Sequence, residues 1–307
     1  MSAPTTAEEI RDVNTRYHDG AAAQYDAKWG IDWGQVGAHQ VLLKTRKALG
    51  RTPAGRLGPF GRSLEIGAGT GYFSLHLLKS GIVAEATCTD ISPGMLETLQ
   101  ANADALGLDV HTVACDAEQL PFGPASFDLV LGHAVLHHLP DLAQAFTEFE
   151  RVLTPGGTLF FAGEPSSTGD RIANVPKRAA NRVAPAWRRA LRARKAPEGR
   201  TDGGEQNHQL EGSVDVHAFV PDELRRFAED AGLVDVRVRG EELLANWFGW
   251  ANRALESTAE PEDVPWLWRQ YAFRGYLALQ QIDGRLLEGR LPPAIFYNLM
   301  VSARKAG

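Results

Sequence analysis

The stretch from Leu64 to Ser74 constrains the fold more than any other part of the chain. It reads LEIGAGTGYFS, so a short apolar run ends in three glycines at alternate positions, Gly67, Gly69 and Gly71. A helical pattern of apolar residues begins directly after them. This order predicts a buried strand, a tight turn and the N-terminus of a helix. Glycine lets a ligand lie against backbone without meeting a Cβ, so we expect a nucleotide-like ligand at this turn.

The spacing of the glycines separates two classes of ligand. A dinucleotide fingerprint requires G-x-G-x-x-G, and its third glycine would fall on Tyr72 in this chain. The pattern that is present, E-x-G-x-G-x-G, resembles the first motif of class I S-adenosylmethionine (SAM)-dependent methyltransferases. The resemblance implies that SAM is the ligand. The cofactor-binding residues that it implies in this motif are Glu65, Gly67, Ala68, Gly69, Thr70 and Gly71.

Two acidic residues that follow the next predicted strands extend the resemblance. The second strand ends at Asp90, and Ser92 before Pro93 supplies the cap of the following helix, which leaves Asp90 free for a ligand. In a doubly wound sheet this carboxylate lies beside the glycine turn and can accept hydrogen bonds from ribose hydroxyls. Asp116 matches the acid that the family uses for the adenine amino group. Further cofactor contacts are expected from Tyr25, Ile91, Met95, Ala117, Glu118, Gly132 and His133.

Three histidines follow the fourth predicted strand. The run V-L-H-H-L around His137 and His138 resembles small-molecule methyltransferases such as the ubiquinone and menaquinone group. His133 lies at the carboxyl edge of the strand, and the usual pKa range of histidine suits a general base. We predict His133, His137 and the strand-end Glu164 as catalytic residues. Packing remains the alternative for His137, and an ion pair with the following insertion remains the alternative for Glu164.

A metal site is not expected from these histidines. His137 and His138 are adjacent, so their side chains should point in different directions. No pair of carboxylates shows the spacing of metal ligands. Packing and backbone contacts are the commoner roles for such a histidine pair.

The order of predicted elements indicates an α/β fold. We expect a doubly wound, Rossmann-like, seven-stranded and mostly parallel sheet with an antiparallel last strand, plus helical insertions. The predicted segments are an N-terminal helical lid at 1–60, a SAM-binding core at 61–164 and 216–240, a basic helical insertion at 165–215, an aromatic helical insertion at 241–291 and the last core strand at 292–307. The alternative for the lid is that its aromatic residues only pack against the core.

The two insertions bear on the substrate. Residues 171–195 are basic with no acid among them, and Pro176 and Pro185 are each predicted to open a short helix. Such a segment suits peripheral contact with an anionic membrane or an anionic substrate, or it is only an exposed insertion. Residues 195–209 predict a mobile loop. Residues 241–291 hold four of the seven tryptophans, which would roof an apolar pocket, pack a helical cap or form a homodimer interface.

Composition limits the remaining classes of function. The net charge of −6 gives no indication of a nucleic-acid partner. The chain has no apolar run of membrane-spanning length and its first residues lack the features of a signal peptide, so we expect a cytoplasmic protein. The predicted function is SAM-dependent methylation of a small, lipophilic metabolite such as a quinone, polyketide or lipid. A SAM-binding protein that acts through interactions is the alternative, and Tyr72 disfavours a nicotinamide-dependent oxidoreductase.

Overall fold

A computed structural model describes residues 6–50, 57–197 and 214–307. In this part of the chain seven strands form one sheet, in the order β3-β2-β1-β4-β5-β7-β6. The strands β1 to β5 are parallel, and β7 is antiparallel to both β5 and β6. The predicted fold class is confirmed. The strands are β1 (Phe60–Ile66), β2 (Val83–Asp90), β3 (His111–Ala114), β4 (Phe127–His133), β5 (Leu153–Pro165), β6 (Leu233–Glu241) and β7 (Asn298–Lys305).

Helices cover both faces of this sheet and its carboxyl edge. They are α1 (Ala7–Ala21), α2 (Tyr25–Trp29), α3 (Gln35–Leu49), α4 (Tyr72–Lys79), α5 (Pro93–Leu106), α6 (Leu142–Val152), α7 (Ser167–Leu191), α8 (Pro221–Asp230), α9 (Leu244–Glu256) and α10 (Trp266–Ile282). α1 begins with a capping box formed by Thr6 and Glu9. α5 begins with the predicted cap, because the Ser92 side chain accepts a hydrogen bond from the Met95 N–H.

The core lies in two layers because side chains alternate across each strand. Val130 of β4 belongs to the layer under α6 and α8, whereas Leu129 and Leu131 belong to the layer under α3, α4 and α5. On α6 the buried residues recur at helical spacing and include the fully buried Phe146 and Phe149. Burial of each such aromatic ring contributes about 2–3 kcal/mol. This packing fixes the sheet and leaves the carboxyl ends of its parallel strands as the place for a site.

The prediction of two short helices opened by Pro176 and Pro185 is wrong. One helix, α7, runs through both prolines. Its buried face consists of small residues, Ala173, Ala180 and Ala184, and packs against α9. Close packing along this face holds the halves of the helix on one axis although each proline removes a backbone hydrogen bond.

The last strand starts at Asn298, inside the segment predicted at 292–307, because residues 293–295 form a short 3-10 turn that begins at Pro293. The loop predicted at 195–209 lies outside the described residues from position 198 onward. Within the described ranges, every helix is too short or too polar to cross a bilayer.

Candidate functional site

The N-terminal segment, α1 to α2, lies over the carboxyl edge of the sheet and is called the cover below. The Asp26 carboxylate accepts hydrogen bonds from Thr70 Oγ1 at 2.6 Å and from Trp33 Nε1 at 2.9 Å. Asp19 Oδ1 accepts from Ser92 Oγ at 2.5 Å and from the Gly94 N–H at 3.0 Å. The cover is therefore attached both to the glycine turn and to the first turn of α5.

The glycine turn follows β1, and two of its glycines are needed for different reasons. Gly67 has φ +59°, and a Cβ there would lie 2.3 Å from Cγ2 of Val135. Gly69 has φ +53°, but a Cβ there would meet nothing within 4 Å. Gly67 is thus required by protein packing, whereas Gly69 leaves open space that a ligand can fill.

Glu65 joins the strand to the helix on either side of the turn. Its Oε2 accepts a hydrogen bond from the Ser74 N–H at 2.9 Å. Burial raises the pKa of Glu65 to about 7. The carboxyl group contributes to the geometry of the turn as well as to the wall of the adjacent cavity.

A small cavity lies between the glycine turn, the ends of β2 and β3, and the cover. At its wall Asp90 Oδ2 accepts from the Gly69 N–H at 2.9 Å, and Asp90 Oδ1 accepts from the Ser92 N–H at 2.9 Å. Each carboxylate oxygen can accept more than one hydrogen bond. Asp90 is therefore fixed in orientation and keeps capacity for a ligand's hydroxyl groups.

Asp116 lies at the rim of the same cavity and is engaged by the cover. Its Oδ2 forms an ion pair with Arg11 Nε of α1 at 2.6 Å, and its Oδ1 accepts from the Glu118 N–H at 2.9 Å. Arg11 also pairs with the carboxylate of Glu118. These contacts latch the cover over the position where the adenine group is expected.

A second cavity of about 500 Å³ adjoins the first. Its outer wall is formed by the side chains of Lys44 (α3), Glu242, Asn246 (α9) and Tyr276 (α10). The residues that line both cavities are His18, Tyr25, Gly67, Gly69, His133, Ala134 and His138. The two spaces therefore meet along the end of β4, under the cover.

A buried charged network forms the roof of the second cavity. Lys44 Nζ lies 2.8 Å from Glu241 Oε2 and 3.3 Å from Glu242 Oε1. The Tyr276 hydroxyl donates to Glu242 Oε2 at 2.5 Å. Burial alone would raise the pKa of Glu242, but the ammonium groups of Lys44 and Lys47 outweigh burial and lower it to about 2. The roof therefore presents ionised groups that are already paired.

Glu164 organises the loop that follows β4. It is fully buried and accepts hydrogen bonds from the N–H groups of Val135, Leu136 and His137 at 3.0–3.2 Å. Its Oε2 also lies 2.8 Å from His137 Nδ1. Burial would lower the pKa of His137, but this hydrogen bond and the carboxylate charge raise it instead. Glu164 lines neither cavity and holds the loop through these hydrogen bonds, and its catalytic role stays a prediction.

His133 lies where the strand-edge argument placed it, but its chemistry differs from the expectation. Its ring stacks on Phe73 with centroids 4.8 Å apart, and Gly163 leaves room for it, since a Cβ there would lie 2.8 Å from His133 Nε2. Burial lowers the pKa of His133 to about 3. A ring with so low a pKa is a weak base, which weighs against His133 as a general base, and its catalytic role stays a prediction.

The residues implied by the family motifs mostly converge on this pair of cavities. Those that line at least one cavity are Tyr25, Glu65, Gly67, Ala68, Gly69, Thr70, Asp90, Ile91, Met95, Asp116, Ala117, His133 and His137. Gly71, Glu118 and Gly132 line neither. A Cβ on Gly71 would lie 2.8 Å from Leu99 Cγ, and one on Gly132 would lie 2.6 Å from Phe161. These two glycines allow close packing, and Glu118 holds Arg11.

The sequence motifs did not identify the residues that complete the site from distant segments. Arg11, Asn14 and His18 of the cover line the first cavity, and Lys44, Glu242 and Asp215 line the second. The Tyr- and Asp-rich N-terminus was the basis for the expected lid, and its role as a lid stays a prediction. No spacing rule distinguishes Lys44 from the other basic residues of α3, or Asp215 from an ordinary loop acid.

A family profile described as "Methyltransferase domain" matches residues 64–161, from the glycine turn to β5. Residues 64–161 are thus similar to a methyltransferase domain. The resemblance deduced from the motifs of Glu65 to Gly71, Asp90 and Asp116 is thereby confirmed for this domain. It comprises the glycine turn, both acidic residues and the loop after β4.

Characterised and uncharacterised proteins are similar to about half of this chain. An O-methyltransferase of Methylococcus capsulatus that acts on malonyl-acyl-carrier protein is 37% identical over 145 residues, 46% of this chain and 48% of that protein. An uncharacterised protein of Mycobacterium tuberculosis H37Rv is 32% identical over 148 residues, 48% of this chain and 53% of that protein. The chain thus spans about half the length of the curated relatives that it matches.

Solved structures show the same fold over nearly the whole chain. A Haemonchus contortus phosphoethanolamine N-methyltransferase 2, in complex with phosphomonomethylethanolamine and S-adenosylhomocysteine, has a TM-score of 0.60 at 16% identity, covering 99% of this chain and 61% of that one. The 4+2 cyclase SpnF has a TM-score of 0.57 at 16% identity, covering 100% and 98%. These likenesses establish the fold, and the two activities differ from each other.

Proposed function

We propose that the protein transfers the methyl group of SAM to a small acceptor molecule. The observation that carries this proposal is the meeting of two cavities along the end of β4. One cavity is surrounded by the glycine turn, Asp90 and Asp116, and the other is large enough for an acceptor. When bound, SAM supplies a methyl group on a positively charged sulfur, so the acceptor needs only to be placed in line with it.

The residues of the first cavity fit this cofactor. Gly69 has no Cβ, and the space that a Cβ would occupy is open, so a ligand can approach the backbone closely there. Asp90, already oriented by two N–H groups, would accept hydrogen bonds from the ribose hydroxyls. Asp116 would accept one from the adenine amino group. The cover, latched by Arg11, would keep water from both cavities.

The acceptor is proposed to be a small, lipophilic metabolite such as a quinone, polyketide or lipid. Support comes from the aromatic residues Tyr17, Tyr72, Phe73 and Tyr276 in the wall of the second cavity. The roof network adds polar groups at one end, where a hydroxyl or carbonyl of the acceptor could bind. His133 would contact the acceptor as a neutral ring, either by packing or by a single hydrogen bond.

Contact with a membrane is proposed to involve α7, within residues 171–195, together with α10. The outer face of α7 exposes Arg171, Arg178, Arg182 and Arg189. The outer face of α10 exposes Trp266, Leu267 and Phe273 beside Arg269 and Arg274. Arginines next to exposed aromatic and aliphatic side chains suit an anionic membrane surface. A homodimer through the same aromatic face, and the cytoplasmic location, stay predictions.

Two measurements test the proposed function. Calorimetry should show binding of SAM and none of NAD(H), which would separate it from the nicotinamide class. Incubation with methyl-labelled SAM and a panel of quinones, polyketides and lipids should then give a labelled product. SAM binding without any labelled product would favour the alternative of a SAM-binding interaction protein. Failure to bind SAM at all would overturn both.

A further inference from the structure

Three side chains that can ligate a metal converge at the wall of the second cavity. His137 Nε2 lies 3.5 Å from Asp215 Oδ1, and His138 Nδ1 lies 3.4 Å from the same oxygen. Each residue's ligand atom lies within 4.8 Å of the other two. Ligands on one metal ion with bonds of about 2.0–2.2 Å are themselves about 3.0–3.5 Å apart. The spacing therefore already approaches that of a ligand shell.

The hydrogen bonds around His137 leave two acceptor atoms facing each other, and a cation between them would relieve their repulsion. His137 Nδ1 donates to Glu164, whose oxygens also accept three backbone N–H groups and so act only as acceptors. In a neutral ring the other nitrogen, Nε2, is then an acceptor as well. It faces the carboxylate oxygen of Asp215, so two acceptors point at each other. Either a bound cation or an extra proton on His137 resolves this contact.

Glu164 gives His137 the support that metal-binding histidines commonly have. Such histidines usually donate their other ring N–H to a carboxylate, which fixes the tautomer and the orientation of the ring. Glu164 is fully buried and is itself held by the backbone of the loop after β4.

His138 contributes the second imidazole from the same loop. The two histidine rings have centroids 4.0 Å apart, so adjacent residues do reach a common point. His138 Nδ1 lies 2.9 Å from the backbone oxygen of Val214, and since a carbonyl can only accept, this nitrogen carries the proton in the metal-free state. When an ion binds at Nδ1, the ring proton moves to Nε2, and the ring stays neutral.

We propose that His137, His138 and Asp215 bind one divalent transition-metal ion of the zinc type. Two imidazoles and one carboxylate are a donor set that suits zinc and cobalt better than magnesium. From the sequence we expected no metal site, because His137 and His138 are adjacent and no carboxylate lies at ligand spacing. Asp215 follows a long intervening segment, so no local spacing pattern includes it.

The position of the site suggests what the ion would do. All three ligands line the second cavity, next to His133 at the meeting of the two cavities. Three protein ligands leave a position open toward that space, where an oxygen of the acceptor would bind. This role rests on the proposed methyl transfer, whereas the metal site itself does not.

The test uses the full, tag-free chain, stripped with a chelator and dialysed at pH 8. Calorimetry with zinc chloride should show one ion per chain, and magnesium chloride should give much weaker binding. Added cobalt chloride should develop visible absorption bands from a site with nitrogen and oxygen ligands. Asp215→Asn and His138→Ala should each weaken zinc binding at least tenfold. The exposed His39→Ala and Asp104→Asn should leave it unchanged.

Control measurements distinguish loss of the metal site from failure of the proposed function. Melting curves and SAM calorimetry on each variant show that the fold and the first cavity are intact. Absence of zinc binding in a chain that still binds SAM overturns the metal site. Zinc binding that persists equally in Asp215→Asn and His138→Ala also overturns it. Zinc binding in a chain that does not bind SAM supports the metal site and counts only against the proposed function.

Discussion

Single residues of the glycine turn allow protein packing to be separated from ligand binding. Both Gly67 and Gly69 have left-handed backbone, so alanine at either costs about 1–2 kcal/mol. Gly67→Ala also places its Cβ 2.3 Å from Val135, so it should lower the melting temperature much further. Gly69→Ala should fold well but weaken SAM binding, because its Cβ projects into open space. Melting curves and calorimetry on both variants check this, and equal losses of stability would contradict it.

Asp90 is the side chain that should matter most for cofactor affinity. Asp90→Ala removes a carboxylate that two N–H groups hold at the cavity wall. We expect SAM binding to weaken by about 1–3 kcal/mol, as for loss of hydrogen bonds to a charged group. Asp104→Ala, at an exposed position on α5, is the matched control. Unchanged SAM affinity in Asp90→Ala would exclude its role in ribose binding.

The residues that sequence could predict are those whose role is set by a local pattern. Gly69 and Asp90 follow predicted strands directly, so parallel strand order alone brings them to one edge. Lys44 and Asp215 reach the site from segments with no motif, so only the folded chain places them there. His133 lies at the end of β4 as expected, but the lowering of its pKa did not follow from spacing, because burial depends on neighbours such as Phe73.

Among the larger elements, the cover depends on one latch between α1 and the loop after β3. Arg11 is the residue of α1 that pairs with Asp116 and Glu118 there. Partly exposed ion pairs contribute about 0.2–1 kcal/mol each, so Arg11→Gln should speed SAM dissociation by about fivefold. Stopped-flow displacement measures this rate. Arg16→Gln, which removes only an exposed pair with Asp12, should leave the rate unchanged, and equal effects of both variants would contradict the latch.

The roof network joins α3, the end of β6 and α10, and should contribute stability that depends on pH. The pKa of Glu242 is about 2, below its unfolded value near 4.5, so its contribution is present above pH 4.5 and is lost as pH falls toward 2. Glu242→Gln should lower the free energy of unfolding by up to about 3 kcal/mol at pH 7. Urea unfolding should show this difference narrowing between pH 4.5 and pH 3.

The matched control for this prediction is the exposed Glu97→Gln. It should change the free energy of unfolding little at any of these pH values. A difference between the native chain and Glu242→Gln that stays constant down to pH 3 would show that the ionised carboxylate does not stabilise the roof.

Most elements were predictable because their signals are local. The capping box at Thr6 and the Ser92–Pro93 start of α5 fix their helices from within a few residues. α7 departs from its local signal. Pro176 should start a helix, yet packing of the small residues Ala173 and Ala180 against α9 keeps the helix continuous. Tertiary packing thus overrides a propensity that acts over one turn.

For the whole molecule, association with an anionic membrane is the testable consequence of the exposed faces of α7 and α10. Each arginine near such a surface contributes about 1 kcal/mol, so binding should be measurable and should weaken with salt. Flotation with vesicles that contain phosphatidylserine should carry the protein upward at low salt. Vesicles of neutral lipid should not carry the protein. Vesicles that contain phosphatidylserine should not carry the variant with Arg178, Arg182 and Arg189 changed to glutamate.

Two results would contradict membrane association. One is a protein that stays unbound at low salt, and the other is a triple variant that floats like the native chain. Gel filtration of the native chain and of a variant of α10 tests whether a second copy of the chain covers the exposed residues of α10 instead. If the native chain elutes as a dimer and Trp266→Asp with Leu267→Asp elutes as a monomer, the exposed residues of α10 pair with a second copy instead.

The residues shared by the two cavities have a consequence for the rate of the proposed methyl transfer. His18 and Tyr25, both in the cover, contact the two spaces at once. If the used cofactor and the methylated product leave on this side, the release of both depends on movement of the cover. Motions of such covering segments occur in microseconds to milliseconds and often limit an enzyme's rate. Both cavities would then exchange their ligands during a single opening of the cover, and the rate of that opening would limit turnover.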